Sequence, residues 1–173
     1  MKKIIKYVVA FGAVLLVLMA PTAVNAATHH QVHQVKAVKL DPENLTAKQE
    51  AALSWWYIWK HHSLMAMSGE NKVVNQLGDA KGKVQVFSVK NAPEYAKGRY
   101  GLPQAATKVW YVTLNGKNGV RYTQVDGKYF LDGGDGGFRP EPVTAKQMID
   151  QAKQDNALND IIAFSNNMKV VEK

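Results

Sequence analysis

Residues 53–59 read Leu-Ser-Trp-Trp-Tyr-Ile-Trp, and no other stretch restricts the fold of this chain as tightly. The segment that carries them opens on Thr46-Ala47-Lys48-Gln49. This is a capping box: the Thr46 hydroxyl takes the amide three residues on, and the Gln49 side chain reaches back. Leu45 stands where a hydrophobic staple would. The signal predicts a helix over about 47–62. On a helical wheel its apolar and aromatic residues cover most of the circumference and leave a narrow polar strip, chiefly Glu50, Ser54 and His61. A helix written this way is buried on several sides or offers aromatic surface to a partner. Trp56 is assigned to the core. Trp55, Tyr57 and Trp59 are the candidate partner-binding residues, with at least one expected to stay partly exposed, because Trp and Tyr join a large apolar body to a polar tip.

Downstream, the period changes. Residues 63–82 are turn-rich, with a short helix expected near 70–77. Residues 83–90 (KVQVFSVK) are β-rich and predict a strand. Pro93, Gly98, Gly101 and Pro103 make 91–106 a long loop that carries Tyr95 and Tyr100. Residues 107–114 (TKVWYVTL) are the clearest strand. A hairpin turn over 115–119 (NGKNG) leads to a strand at 120–125. Asp126-Gly127 turns the chain into a further strand at 128–131. After Asp132-Gly133-Gly134-Asp135-Gly136-Gly137, a second capping box, Thr144-Ala145-Lys146-Gln147, starts a helix through about 153. Asn156 is placed as the cap of a last helix whose Leu158, Ile161, Ile162, Phe164 and Met168 form one apolar stripe. The expected fold is α+β: an N-terminal helix, an antiparallel meander of about four strands, and two C-terminal helices packed on one face of the sheet.

The N-terminus has a different character. Lys2, Lys3 and Lys6 precede an uncharged run over 7–20, Pro21 breaks it, and Val24-Asn25-Ala26 supplies residues that a signal peptidase reads. Residues 1–26 are therefore expected to be a cleavable secretory signal peptide, its run being short for a span of roughly 20 apolar residues. Residues 27–44 are read as a mobile polar arm, and 45–173 as a single domain. The chain has no cysteine, so neither a disulfide framework nor a lipid on cysteine is available. The protein is expected to be secreted, loosely associated with the cell wall at most, and in contact with membrane only through the signal before cleavage.

The opening helix at Leu45-Thr46-Ala47-Lys48-Gln49, the meander and the closing helix after Val143-Thr144 together resemble small exported proteins of lactic acid bacteria, a group mostly of unknown function. The resemblance covers about 45–173. It implies an extracellular or envelope setting and supplies no catalytic residues. Many members of that group look lipid-anchored through a cysteine, which this chain lacks.

Charge narrows the partners. The formal net charge is +8, and the three lysines of the signal leave +5 for the remainder, scattered without a basic block. Teichoic acids and other polyanions outside a cell attract such a surface weakly and in a salt-sensitive way. No nucleic-acid motif is present. The expected partners are an anionic cell-wall polymer or an extracellular protein, met by a monomer.

Four groups of residues carry candidate chemistry. Cleavage after Ala26 would bring the Ala27 amine, the Thr28 and His29 amides and the His29 imidazole together as a square-planar site for Cu(II) or Ni(II). Any exported chain with histidine third does the same, so the metal is adventitious and no resident cofactor is expected. His61 and His62 are neighbours on a helix and diverge by about 100°, which suits a helix C-terminus better than a chelate. The glycine-rich run over 132–137 lacks the alternating acids and closing Glu of a calcium loop and reads as a turn. No serine has a nucleophile-elbow context. The preferred function is a non-enzymatic exported protein that binds at the envelope or to an extracellular partner. The alternative is a small secreted hydrolase or wall-modifying enzyme.

Overall fold

The computed structural model describes residues 39–62 and 71–173. The expected signal peptide and the Ala27, Thr28 and His29 metal site lie outside the described residues. The end of the expected polar arm lies inside them and is packed rather than loose. Leu40 is buried, and Asp41 accepts hydrogen bonds from Glu43 and Asn44 in a tight turn before the first helix.

That helix, α1, spans Ala47–Tyr57, and both halves of its capping box form. Its last turn widens into a π-helical segment, Ile58–His62. A 3-10 segment follows at Asn71–Asp79, where a short helix was expected. The strands are β1 (Gly82–Ser88), β2 (Lys108–Leu114), β3 (Lys117–Val125), β4 (Lys128–Leu131), β5 (Val143–Thr144) and β6 (Met168–Glu172). Between them lie the short helix α2 (Glu94–Lys97) within the 91–106 loop, then α3 (Ala145–Gln154) and α4 (Leu158–Asn166). The fold is α+β, and the sheet runs β5-β4-β3-β2-β1-β6. All neighbours are antiparallel except β6, which lies parallel to β1 with Met168 opposite Gly82.

Three local readings need correction. The β2–β3 turn is the two-residue Asn115-Gly116, with φ of 50° and 72°, so β3 begins at Lys117 and takes in residues first assigned to the turn. This is the primed geometry whose twist matches the strands, and Asp126-Gly127 repeats it at 51° and 71°. Asn156 does not cap α4. Its φ of 56° puts it in the left-handed region just past the C-cap Asp155, where Asn can end α3, and α4 starts from Ala157 without a side-chain cap. Met168 leaves the helical stripe and opens β6, its side chain still buried in the same core. Met168-Lys169-Val170-Val171-Glu172 is too short and too weakly alternating to declare itself a strand; the exposed edge of β1 supplies the partner.

The core sits between the sheet and the helices. Every residue of α1 from Ala51 to Trp56 is buried, Ser54 included. Ala51, Ala52, Leu53, Trp55 and Trp56 share one cluster with Val84, Val112, Leu114, Val120 and Tyr122 of the sheet and with Ile149, Ile161 and Phe164 of the later helices. The aromatic run is thus a helix buried on several sides. Each large side chain removed from water there contributes about 1.5–3 kcal/mol. Among the described residues no helix is long and apolar enough to cross a membrane.

Candidate functional site

A strand sends alternate side chains to opposite faces. Trp110, Val112, Val120 and Tyr122 therefore point to the helices, and Val109, Tyr111, Arg121 and Thr123 to the other face. That second face has a small apolar cluster of its own, Phe87, Ala96, Val109 and Phe138, over which two loops close. One contains α2; the other is the 132–139 run.

The two loops are joined backbone to backbone. The Arg99 amide donates to the Gly136 carbonyl at 2.8 Å, and the Phe138 amide to the Tyr100 carbonyl at 3.0 Å. The Tyr100 ring packs on the backbone of Gly137, where a Cβ would stand 2.2 Å from a ring carbon. Both aspartates of the glycine-rich run are used internally. Asp132 accepts from the Gly134 amide at 2.9 Å and from Arg121 Nε at 2.7 Å. Asp135 accepts from the Gly137 amide at 3.2 Å, and the Tyr100 hydroxyl is close enough to help hold its charge. These bonds explain the run as a loop that folds on its own carboxylates. Among the described residues no group of three or more His, Asp or Glu could hold a metal ion.

The floor of the site comes from an irregularity in β3. Val112 faces Val120 and Leu114 faces Lys117, so Asn118 and Gly119 together oppose Thr113 in a β-bulge. Asn118 takes φ of 50°, which asparagine tolerates, and its carbonyl accepts the indole N–H of Trp55 at 2.9 Å. Gly119 then lies beneath Tyr111. A Cβ there would fall 1.9 Å from the Tyr111 hydroxyl, so only glycine lets this phenol cross the strand. Tyr95 meets Tyr111 edge-on, ring centres 5.0 Å apart. One bulge thus ties the buried α1 to an aromatic floor on the far side of the sheet.

Above that floor is an open cleft of about 600 Å³. Glu94 and Tyr95 of α2, Arg99, and Asp135 of the glycine-rich loop line its sides, with Tyr111 and Arg121 beneath. Arg121 is held on three counts: its Nε and its backbone N–H point to Asp132, and Nη1 reaches the Tyr95 carbonyl at 3.4 Å. The Tyr100 hydroxyl and the Gly137 amide keep the Asp135 carboxyl below the usual carboxylate range, so it presents a charged acceptor at neutral pH. Among the described residues, the large hydrophobic side chains left more than half exposed are Tyr95 and Tyr100, and both stand on these loops.

The residues singled out by sequence lie elsewhere. Trp55 is fully buried, stacked on Trp59 at 5.5 Å and edge-on to Phe164 at 5.6 Å, which removes it from any partner surface. Tyr57 and Trp59 are half-buried against the same core. Burial raises the Tyr57 phenol above its ordinary range. His61 stands 4.6 Å from the Tyr57 ring, and burial lowers its imidazole despite the pull of Asp155. Sequence reasoning passed over Tyr95, Tyr111, Arg99 and Arg121. Its usable signal was a pair of tyrosines in a Gly/Pro loop, since exposed aromatic residues on loops often serve binding. The chain matches no protein-family model, no curated protein and no solved structure.

Proposed function

We propose that this is an exported, non-enzymatic binding protein that holds an envelope or extracellular ligand in the outer-face cleft, acting as a monomer. The observation that carries the reading is the Gly119–Tyr111 contact. Glycine weakens a strand interior and often marks close approach. Here it lays an aromatic ring across the floor of an open cleft beside an exposed second ring, Tyr95. The surplus positive charge of the chain aids encounter with an anionic envelope.

Glu94 and Asp135 share the cleft, and a hydrolase reading would rest on this pair of carboxylates. Such chemistry needs one of the two to hold a proton near neutrality. The bonds to Asp135 push it the other way, so Asp135 is not placed to act as the acid of such a pair. The test is retention of the purified protein on cell-wall fractions across a salt series. Retention that survives high salt and falls on Tyr95→Ala supports the reading. Retention lost at modest salt and indifferent to Tyr95→Ala leaves bulk charge as the cause and overturns it.

A further inference from the structure

The cleft differs in charge from the protein that carries it. Glu94 and Asp135 balance Arg99 and Arg121, so the lining is formally neutral in a chain of +8. Arg121 is further neutralised by Asp132 at 2.7 Å. Guanidinium groups hold phosphate or carboxylate through N–H donors left free for it, and a polyanion brought to this cleft would also meet two carboxylates. A purely apolar ligand would strip water from four charged groups and return no hydrogen bonds. Hydroxyl groups answer both demands, because each donates to a carboxylate and accepts from a guanidinium. The tyrosine rings ask for something further, an apolar face that can lie on an aromatic surface.

We propose that the cleft binds a neutral glycan, whose pyranose rings present C–H faces to Tyr111 and Tyr95 and hydroxyls to Glu94, Asp135 and Arg99. This rests on the binding reading above and names its ligand class. A volume of about 600 Å³ is that of a drug-sized ligand, about two or three sugar rings. The cleft is open to solvent, so a longer chain can extend beyond the rings it holds.

The experiment titrates the purified protein by calorimetry and ligand-observed NMR. The probes are chitotetraose, cellotetraose, maltotetraose, neutral polysaccharide fragments released from cell wall, and poly(glycerol phosphate). At least one neutral glycan should bind, with affinity little changed between about 50 and about 500 mM salt, because no charge is being neutralised. Tyr95→Ala should weaken it about tenfold, the worth of one stacked ring, while Lys146→Ala on the exposed surface of α3 leaves it unchanged. Binding by the wall fragments alone identifies the wall as the source; binding by the defined tetrasaccharides shows that free oligosaccharide suffices. Binding by poly(glycerol phosphate) alone, or by none of the probes, overturns the proposal. Wall retention that still depends on Tyr95 in that case preserves the binding reading and discards only the glycan. Retention indifferent to Tyr95 discards both.

Discussion

On the helix side of the sheet, Leu53, Trp55 and Trp56 of α1 share one apolar core with Val84, Val112 and Tyr122. On the other side, Phe87, Ala96, Val109 and Phe138 hold two loops in place around a cleft lined by charged groups and tyrosines. The first side is periodic, continuous and dry. The second is assembled from turns, an internal ion pair and glycines that admit rings onto the backbone. The contrast teaches a division of labour within one sheet: the helix face supplies the free energy of folding, and the loop face spends part of it on shape. Substitutions on the two faces should therefore change stability and binding in different proportions.

The largest effect belongs to the helix face. Trp56 is 1% exposed, and Trp56→Ala leaves a cavity where an indole stood. The expected loss is about 3–5 kcal/mol, a large share of the roughly 5–15 kcal/mol that holds a domain together. Urea unfolding should show it as a lower midpoint. A loss under about 1 kcal/mol would mean that α1 does not anchor the core, and the contrast would fail at its base.

Asp132→Ala comes next and tests whether the loop face has structural weight. The Arg121 and Asp132 side chains are 15% and 4% exposed. Removing the carboxylate leaves a mostly buried guanidinium without its ion-pair partner, at an expected cost of about 3 kcal/mol. It also frees the Gly134 amide and with it the fold of the glycine-rich loop. The measurement is the same unfolding curve with the cleft probed beside it. An unchanged midpoint would show that the ion pair holds the cleft's shape without contributing to stability.

The two faces were unequally legible in the sequence, for the same physical reason. Thr46–Gln49 and Thr144–Gln147 announce two helices because a capping box is a local device, complete within four residues. Asn115-Gly116 and Asp126-Gly127 announce hairpins because φ above zero suits few residue types. β6 and the cleft depend on partners distant in sequence. Met168 could be read as the end of a helical stripe until Gly82 stood opposite it. Tyr95, Tyr111 and Asp135 belong to three segments with no shared period. The aromatic run of α1 reads equally as core or as surface because its wheel is apolar nearly all round; the sheet, α3 and α4 enclose Trp55 and Trp56 and leave Tyr57 and Trp59 half-buried.

The smallest effect on stability should carry the largest effect on the cleft. A Cβ at position 119 would fall 1.9 Å from the Tyr111 hydroxyl and 2.3 Å from the ring carbon bearing it. Those atoms are the far end of a side chain that can rotate away, so Gly119→Ala forces the phenol off the strand without pressing on backbone. Lost packing from the displaced ring is offset in part by the reduced chain freedom of alanine in the unfolded state. The net change should be about 1 kcal/mol, the low end of what overpacking costs. The aromatic floor would nonetheless be gone, along with the edge-on contact to Tyr95. Expected together are a near-native unfolding midpoint, a changed Tyr111 resonance pattern in NMR, and loss of ligand retention. Retention intact with Tyr111 displaced would separate the floor from the site and move the binding surface to Tyr95 and Tyr100 on the loops. A large loss of stability instead would mean that the outer face supports the fold as the helix face does.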